Sequence, residues 1–562
     1  MEKLLKNFLI RLEKEKPPRS FIQSLEYSFL DPLWFSSFEI KQSSDGGKKS
    51  VLVLPDIAIC AECLRELFDS SNRRYRYPFI NCTNCGPRYS IIESLPYDRK
   101  NTTMKSFAMC DKCSEEYHNP LDRRFHAQPN ACPQCGPQLT LWDSNGDTLT
   151  QKDDALMRAI AEIQQGKIAA VKGIGGFHLA VDARNPDAVH RLRQRKHREE
   201  KPFAVMYPNV ETLQNDCEIS ELEKRLLLSP ESPIVLLNRK KETIICNDVA
   251  PNNPYIGAML PYSPLHHLLL NELKFPIVAT SGNLSEEPIC IDEPEALNRL
   301  KDITDVFLVH NRPILRHIDD SIVRVIMERE LVIRRARGYA PLPIPTKESL
   351  SPMISVGAHL KNTIAITADT NIVPSQHIGD LSTSEAFDAF KSVQKSLVSL
   401  YDVNPKTVIC DLHPDYLSTQ FAKQSDIALE QVQHHYAHIC ACMAENELDG
   451  RVLGISWDGT GYGTDGTIWG GEFILTTDSG FERFATFRPF RLPGGEKAII
   501  EPRRSALGVL YEIFKEGLFT RENIPILDKF SKEELVLIQK MLSNKLNSPL
   551  TTSAGRIFDA VS

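Results

Sequence analysis

Eight cysteines between Cys60 and Cys135 constrain this chain more than anything else in it. They fall in four Cys-x-x-Cys pairs, Cys60/Cys63, Cys82/Cys85, Cys110/Cys113 and Cys132/Cys135, with 18, 24 and 18 residues between pairs. The stretch also repeats with a period of 50 residues: Glu66, Arg73, Arg74, Gly86 and Pro87 return as Glu116, Arg123, Arg124, Gly136 and Pro137, and Tyr75 is matched by Phe125. Each half reads as one small module with four thiolates, the ligand set of a closed tetrahedral zinc site that leaves no position for catalysis. A module of about 30 residues buries too little apolar surface to hold itself together, so the metal must supply folding free energy. The spacing does not say which pairs share an ion. Disulfides would need an oxidising compartment, and no secretory signal is read in the sequence. His118 and His126 read as ordinary loop residues. The double arginines suit either nucleic acid or packing against neighbouring domains.

A chain of 562 residues has room for roughly three to five domains. With 25% charged and 42% hydrophobic residues it has ordinary globular composition. A formal net charge of −7 argues against a protein that coats nucleic acid. No apolar run reaches the eighteen or so residues of a membrane span. The six other cysteines (Cys217, Cys246, Cys290, Cys410, Cys440, Cys442) lack metal spacing. Free cysteines beside thiolate zinc sites point to a reducing, cytoplasmic setting.

Residues 1–50 predict little: an amphipathic helix over Phe21-Ile22-Gln23-Ser24-Leu25 and Trp34-Phe35, a strand Phe38-Glu39-Ile40, and a linker over 43–50. They read as the tail of a domain whose beginning is absent. After the cysteines, Ala155, Leu156, Ala159, Ile160 and Ile163 predict a helix over 154–166 that Gly166 ends. A buried strand over 168–171 runs into the glycine-rich turn Lys172-Gly173-Ile174-Gly175-Gly176-Phe177-His178, which lacks the pattern of a phosphate-binding P-loop. Residues 193–201 (Arg-Gln-Arg-Lys-His-Arg-Glu-Glu-Lys) are strongly basic, and their bland reading is a solvated helix face. Ile277-Val278-Ala279-Thr280 is strand-like and ends in Ser281-Gly282-Asn283, the kind of place where α/β sheets bind ligands. Arg312, Arg316, Asp319, Asp320, Arg324 and Arg334-Arg335-Ala336-Arg337 follow. Several cations around polar turns, Lys172 and Arg337 among them, suit a polyanion such as ATP and its pyrophosphate product.

Lys196-x-Arg198 followed by Ser281-x-Asn283 resembles the KxR…SxN signature of the YrdC family, the threonylcarbamoyl-AMP synthases, which join a carbamate to ATP and release pyrophosphate. The resemblance implies that Lys196, Arg198 and Lys201 neutralise phosphate charge and that Thr280, Ser281 and Asn283 contact nucleotide or acyl group. Attack of a weak carbamate on the α-phosphate needs charge neutralisation and positioning more than a proton-transfer residue.

Pro341-Leu342-Pro343-Ile344-Pro345 is a stiff boundary. Beyond it, Gln433-His434-His435-Tyr436-Ala437-His438 predicts a helix on which His434 and His438 share a face, a two-donor metal arrangement, while His435 points elsewhere and reads as structural. Leu453-Gly454-Ile455-Ser456-Trp457 predicts a strand ending at Asp458-Gly459-Thr460-Gly461-Tyr462-Gly463. An aspartate there can hold a divalent cation while the backbone at Gly459, Thr460, Gly461 and Gly463 approaches phosphates. The plain alternative is a β-hairpin.

The His-x-x-x-His pair with Asp458-Gly-Thr-Gly-Tyr-Gly resembles the ASKHA (actin-like) carbamoyltransferases, in which histidines and aspartates hold a metal that bridges to nucleotide phosphates. One family joins zinc repeat, YrdC-like domain and ASKHA-like domain in this order: the HypF carbamoyltransferases of NiFe-hydrogenase maturation. The resemblance, over about residues 15–562, implies a multidomain α/β (α+β) fold. It would comprise an acylphosphatase-like remnant (1–50), tandem zinc modules (55–145), a YrdC-like domain with a twisted sheet (150–345) and the N-terminal part of an ASKHA-like domain (350–562). It implies carbamoyl phosphate and ATP with Mg as small-molecule substrates, two structural zinc ions, a divalent metal at His434, His438 and Asp458, and no role for membrane or nucleic acid. Carbamoyl phosphate would be hydrolysed, the carbamate adenylated, and the carbamoyl group passed to the C-terminal cysteine of a partner, HypE. Enclosed sites would protect the labile intermediates from water. Against the family pattern, both ends look truncated, which would cripple the first and last steps, and Arg503 stands where the family often has tryptophan. Two competing readings are threonylcarbamoyl-AMP synthesis for tRNA modification, which leaves the zinc repeat unexplained, and a catalytically silent zinc-organised scaffold.

Overall fold

The computed structural model describes residues 2–16, 52–478 and 480–562. The expectations for Phe21 to Leu25, Trp34-Phe35, Phe38 to Ile40 and the linker at 43–50 lie outside the described residues. Ahead of them runs a helix, Glu2–Lys14. The chain divides into two compact units, residues 1–342 with Ser399–Asp402, and Pro343–Val398 with Val403–Ser562. The division falls inside the proline-rich segment, where restricted backbone freedom suits a boundary. Among the described residues no helix is long and apolar enough to cross a membrane.

In the first unit the two cysteine modules are built alike. Helices Ala61–Phe68 and Asp111–His118 each start just after the first cysteine of their module, with Cys60 and Cys110 in the N-cap position. The remainder is organised on an eleven-stranded sheet: β1 Leu139–Asp143, β2 Thr148–Gln151, β3 Ala169–Lys172, β4 Phe177–Asp182, β5 Ala204–Met206, β6 Ile234–Asn238, β7 Tyr255–Met259, β8 Ile277–Ser281, β9 Val306–His310, β10 Ile322–Ile326 and β11 Arg329–Arg334. The strand order is β11-β10-β6-β7-β5-β8-β4-β3-β9-β1-β2. Its central strands are apolar on both sides, as a sheet covered on both faces requires: all four residues of β3 and all five of β9 are buried. Ala170, Val278 and Phe307 pack on one face with Leu192 and Phe203.

On the other face Val171, Ile277 and Leu308 share a core with Leu156, Ile160 and Ile163 of helix Lys152–Gln164, with Leu268 of helix Pro264–Leu273, and with Leu67 and Phe79 of the first cysteine module. The modules are thus part of this unit's core, and Arg76 ties them to it through Asp153 (3.0 Å) and Glu272 (2.5 Å). Helix Lys152–Gln164 matches the periodicity, and Gly166 stops it by adopting a left-handed φ of +79°. The glycine turn after β3 is a hairpin: β3 and β4 pair antiparallel, and Gly173 N–H donates to Gly176 O at 2.8 Å. Because β1 already pairs with β9, the sheet begins inside the 55–145 stretch.

The second unit carries β12 Ile344–Pro345, β13 Met353–Ser355, β14 Ala365–Ala368, β15 Asn371–Pro374, β16 Thr407–Asp411 and β17 Ala428–Val432 in a sheet ordered β12-β15-β14-β13-β16-β17. A second sheet holds β18 Leu453–Tyr462, β19 Ile468–Thr477, β20 Gly480–Thr486, β21 Phe490–Arg491 and β22 Leu550–Thr551. Strand β18 does not end at Asp458. It runs on to Tyr462 through a bulge between Trp457 and Gly461, and forms a hairpin with β19. The bulge leaves Asp458, Gly459 and Thr460 out of the ladder, which re-aims their side chains.

Candidate functional site

The four cysteine pairs close locally: Cys60, Cys63, Cys82 and Cys85 form one cluster and Cys110, Cys113, Cys132 and Cys135 the other. In the first the sulfurs lie 3.6 Å (Cys60–Cys82), 3.6 Å (Cys63–Cys85) and 3.8 Å (Cys82–Cys85) apart. In the second, Cys110–Cys132 and Cys132–Cys135 are 3.8 and 3.7 Å apart. A tetrahedron with zinc–sulfur bonds of about 2.3 Å has edges of about 3.8 Å, so these are structural zinc sites, and no disulfide competes. The repeat explains itself through a reciprocal exchange. Arg73 and Arg74 of the first module donate to Cys113 Sγ of the second (3.3 and 3.6 Å) and pair with Glu116 (2.6 and 2.5 Å). Arg123 donates to Cys63 Sγ at 3.1 Å, and Arg123 and Arg124 pair with Glu66. Each zinc–thiolate site carries a net charge of about −2, which the other module's guanidinium groups offset. The double arginines are therefore engaged by the opposite module.

A cavity of about 350 Å³ opens where the helices leave one face of the large sheet bare. Ala204 (β5), Gly257 (β7) and Ala279 (β8) form its flat floor, since these cross-strand neighbours carry little or no side chain. Ile234, Leu236, Ile322 and Ile333 give it apolar lining, while Arg198, Lys201, Arg334, His178, Ser281, Asp319 and Asp320 supply polar groups. The basic segment is no solvated helix face. Its helix, Pro186–Arg195, ends before Lys196, which is 4% exposed. Lys196 Nζ donates to the carbonyls of Ser281 (2.9 Å) and Asn283 (2.5 Å) and to Asn283 Oδ1 (2.7 Å). Burial, reinforced by the charge of Arg198, pulls its ammonium down to about 7. Arg198 donates from Nη1 to Thr280 Oγ1 at 3.2 Å, and burial followed by Arg193 lowers it to about 10.

The structure thus brings Lys196, Arg198, Lys201, Thr280, Ser281 and Asn283 together, with Asn283 engaged in its turn through Ser281 Oγ (2.8 Å) and the Glu287 carbonyl (2.6 Å). Two expected nucleotide contacts lie elsewhere. Lys172 is 1% exposed and pairs with Glu293 at 2.6 Å, facing a small void beside Phe79 and Tyr262, because its strand position turns it from the cavity into the core. Arg337 is buried behind Asp320 (2.9 Å), with its guanidinium 3.4 Å from the Tyr262 ring centre. The sequence reading missed His178, whose Nε2 meets Asp320 at 2.9 Å. Its signal was its place at the end of the glycine turn, opposite Ser281 in the β4–β8 register.

In the second unit His434 and His438 lie on helix His434–Glu445, whose N-cap Gln433 accepts from the His435 and Tyr436 amides. His434 Nε2 is 2.9 Å from Asp458 Oδ2, and His438 Nε2 is 3.2 Å from His434 Nε2 and 3.4 Å from Asp458 Oδ2. Donors on an ion at about 2.1 Å stand about 3.0 Å apart in an octahedron and about 3.4 Å apart in a tetrahedron, so this set fits a metal. His434 Nδ1 meets Asp411 at 2.7 Å, the outer carboxylate that orients a metal-binding imidazole. Burial alone would depress His434, but Asp411 and Asp458 raise it to about 9. The histidine also holds Asp458 well below the usual carboxylate range despite its burial. His435 is fully buried, and burial lowers it to about 4. It also accounts for Gly461, where a Cβ would fall 2.4 Å from His435 Cε1. Gly463 has a similar reason in Trp469, 2.1 Å away. Of the expected phosphate-approaching glycines only Gly459 has room, its nearest neighbour being Arg556 Nη2 at 3.7 Å. Thr460 sits in the bulge beside it.

Family models match most of the chain: "HypF finger" at residues 59–92 and 109–142, a YrdC-type family described as "Telomere recombination" at 161–336, "HypF Kae1-like domain" at 348–445, and "Carbamoyltransferase, Kae1-like Domain, second subdomain" at 454–562. The carbamoyltransferase HypF of Synechocystis sp. is 49% identical over all of this chain and 75% of its own length. The probable carbamoyltransferase HypF of Methanocaldococcus jannaschii is 41% identical over 99% of this chain and 73% of its own. A crystal structure of full-length HypF in the phosphate- and nucleotide-bound form superposes with a TM-score of 0.94 at 46% identity, covering all of this chain and 73% of that one. The chain thus spans about three quarters of the length of these relatives.

Proposed function

The chain belongs to the HypF carbamoyltransferase family of hydrogenase maturation, with carbamoyl phosphate and ATP as substrates, and on that premise we propose that its chemistry is divided between two sites. Adenylation is assigned to the cavity of the first unit. A carbamate oxygen attacks the α-phosphorus of ATP there, the bond to the β-phosphate bridging oxygen breaks, and pyrophosphate leaves as carbamoyl-AMP forms. Arg198 and Lys201 offset the phosphate charge, Lys196 holds the Ser281 to Asn283 turn in place, and the flat floor of Ala204, Gly257 and Ala279 with the apolar lining takes the base. His178, aligned by Asp320, completes the polar lining. Transfer is assigned to the second unit. His434, His438 and Asp458 would hold a divalent metal there, which when bound would supply Lewis acidity. Gly459 and Thr460 lie next to these residues, and the acceptor is the C-terminal cysteine thiol of HypE, whose sulfur attacks the carbamoyl carbon as the carbon–oxygen bond to AMP breaks, AMP leaves and the thiol proton is released. Domain limits of 55–145, 150–345 and 350–562 and a cytoplasmic setting complete the reading, the latter resting on the thiolate zinc sites and unbridged cysteines.

The observation that carries this is the cavity itself, lined by the cations Arg198, Lys201 and Arg334 and by apolar Ile234, Leu236, Ile322 and Ile333, and floored by Ala204, Gly257 and Ala279. ATP–pyrophosphate exchange by the purified chain tests it. Carbamoyl phosphate would be offered alone and with a separate acylphosphatase, and threonine with bicarbonate in parallel. Exchange that requires carbamate is the expected result. Threonine-dependent exchange would favour tRNA modification, and silence from folded, zinc-loaded protein would favour a scaffold.

A further inference from the structure

We infer that Arg193 is a positioning residue for the cation-bearing loop, although it does not line the cavity. It lies in the last turn of helix Pro186–Arg195 and is 6% exposed. Its guanidinium donates to five backbone carbonyls: Nε to Asp248 (2.5 Å), Nη1 to Arg198 (3.0 Å), Glu199 (3.1 Å) and Lys201 (3.3 Å), and Nη2 to Val249 (3.1 Å). Three of these belong to residues 198–201, the segment that projects Arg198 and Lys201 into the cavity. The grip is reciprocal, because the Arg198 amide donates to the Arg193 carbonyl at 3.0 Å. The guanidinium carbons of Arg193 and Arg198 lie 4.5 and 4.8 Å from the centre of one ring, that of Phe203. His197, between them, holds a left-handed φ of +49°, a conformation that needs outside support in a residue other than glycine.

The chemistry is specific to arginine. Only a planar fork with five N–H donors can reach carbonyls from both the loop and Asp248-Val249, whereas a lysine ammonium offers three donors from one atom. Two adjacent guanidinium groups repel, so the arrangement is held because acceptors collect around both: Arg198 itself donates from Nε to the Lys201 carbonyl (2.9 Å), from Nη2 to the Pro202 carbonyl and from Nη1 to Thr280 Oγ1 (3.2 Å). Displacing a charge-neutralising group by about 1 Å is enough to cost about 100-fold in rate.

The functional half of this inference rests on the reading that the cavity binds ATP, so its test has two arms, both on the full chain. The variants are Arg193→Lys and Arg193→Gln. The first arm is native-state hydrogen exchange of the His197 and Arg198 amides, which are both hydrogen-bonded. The second is the KM for ATP in carbamate-dependent exchange. Expected are at least tenfold faster local exchange and at least tenfold higher KM, with kcat changed less and two zinc ions retained. Native-like loop protection would overturn the positioning role. So would acceleration spread evenly over the chain with KM unaltered, which marks general destabilisation. An unreactive native protein would sink the ATP reading alone, because the hydrogen-exchange arm still decides what Arg193 holds.

Discussion

Lys196 is a cation whose three acceptors are all uncharged, which is why burial can hold its ammonium at about 7. From about 7 up to the ordinary lysine value near 10.4, the folded protein binds fewer protons at this position than the unfolded chain. Its charge therefore opposes folding fully at low pH, and that cost fades as pH rises through this window. A triphosphate bound nearby favours the charged form, so ATP binding at pH 8 takes up a proton. Calorimetry in two buffers of different ionisation enthalpy reads the uptake, expected to approach one proton and to vanish in Lys196→Gln. No uptake by the native protein would rule out Lys196 as the responding group. The residue types at this site were legible in the sequence as a KxR and an SxN, because charge neutralisation demands cations near a polar turn. What could not be read was direction. Lys172 and Arg337 look like equally good cations in the sequence, and only strand register and the carboxylates of Glu293 and Asp320 show that they are engaged elsewhere.

Among elements, the cysteine modules were the most legible, because metal geometry fixes Cys-x-x-Cys spacing independently of the surrounding fold. The purpose of the repeated arginines was not, since a contact between Arg74 and Glu116 spans 42 residues. The exchange of guanidinium groups makes each zinc site depend on the other. Cys132→Ser should empty its own site and also loosen Arg73 and Arg74, whose partners Cys113 and Glu116 lie there. Breaking a buried charge pair costs about 3–5 kcal/mol. The remaining zinc should therefore pass to a chelating dye at least tenfold faster than either ion does in the native protein, and an unchanged rate would show that the modules are independent. The strand holding Asp458 shows the opposite kind of limit. The Asp-Gly pair read as a strand end, but the ladder resumes after a bulge that leaves Asp458 facing His434. Asp411 was missed because it reaches His434 only through the parallel pairing of β16 with β17, though its place at a strand end was a usable signal.

At the scale of the molecule, motif order announced the architecture because each motif demands its own fold: thiolate pairs for zinc, a polar strand end for a nucleotide, a helical histidine pair for a metal. The depth to which the first module enters the core of the large sheet was not legible, since Leu67 and Phe79 carry no periodic pattern that points to it. Under the proposed division of chemistry, carbamoyl-AMP is made in one unit and consumed in the other, each with its own residues. The most direct test of that division is to measure pyrophosphate exchange and carbamoylation of a C-terminal-cysteine acceptor side by side, in Arg198→Gln and in Asp458→Asn. Arg198→Gln should lose at least 100-fold in both. Asp458→Asn should keep exchange within about threefold of native while losing at least 100-fold in transfer, a difference of about 2.7 kcal/mol in barrier. If Asp458→Asn loses exchange and transfer together while its zinc content and fold stay native, the division of the chemistry between two sites is wrong.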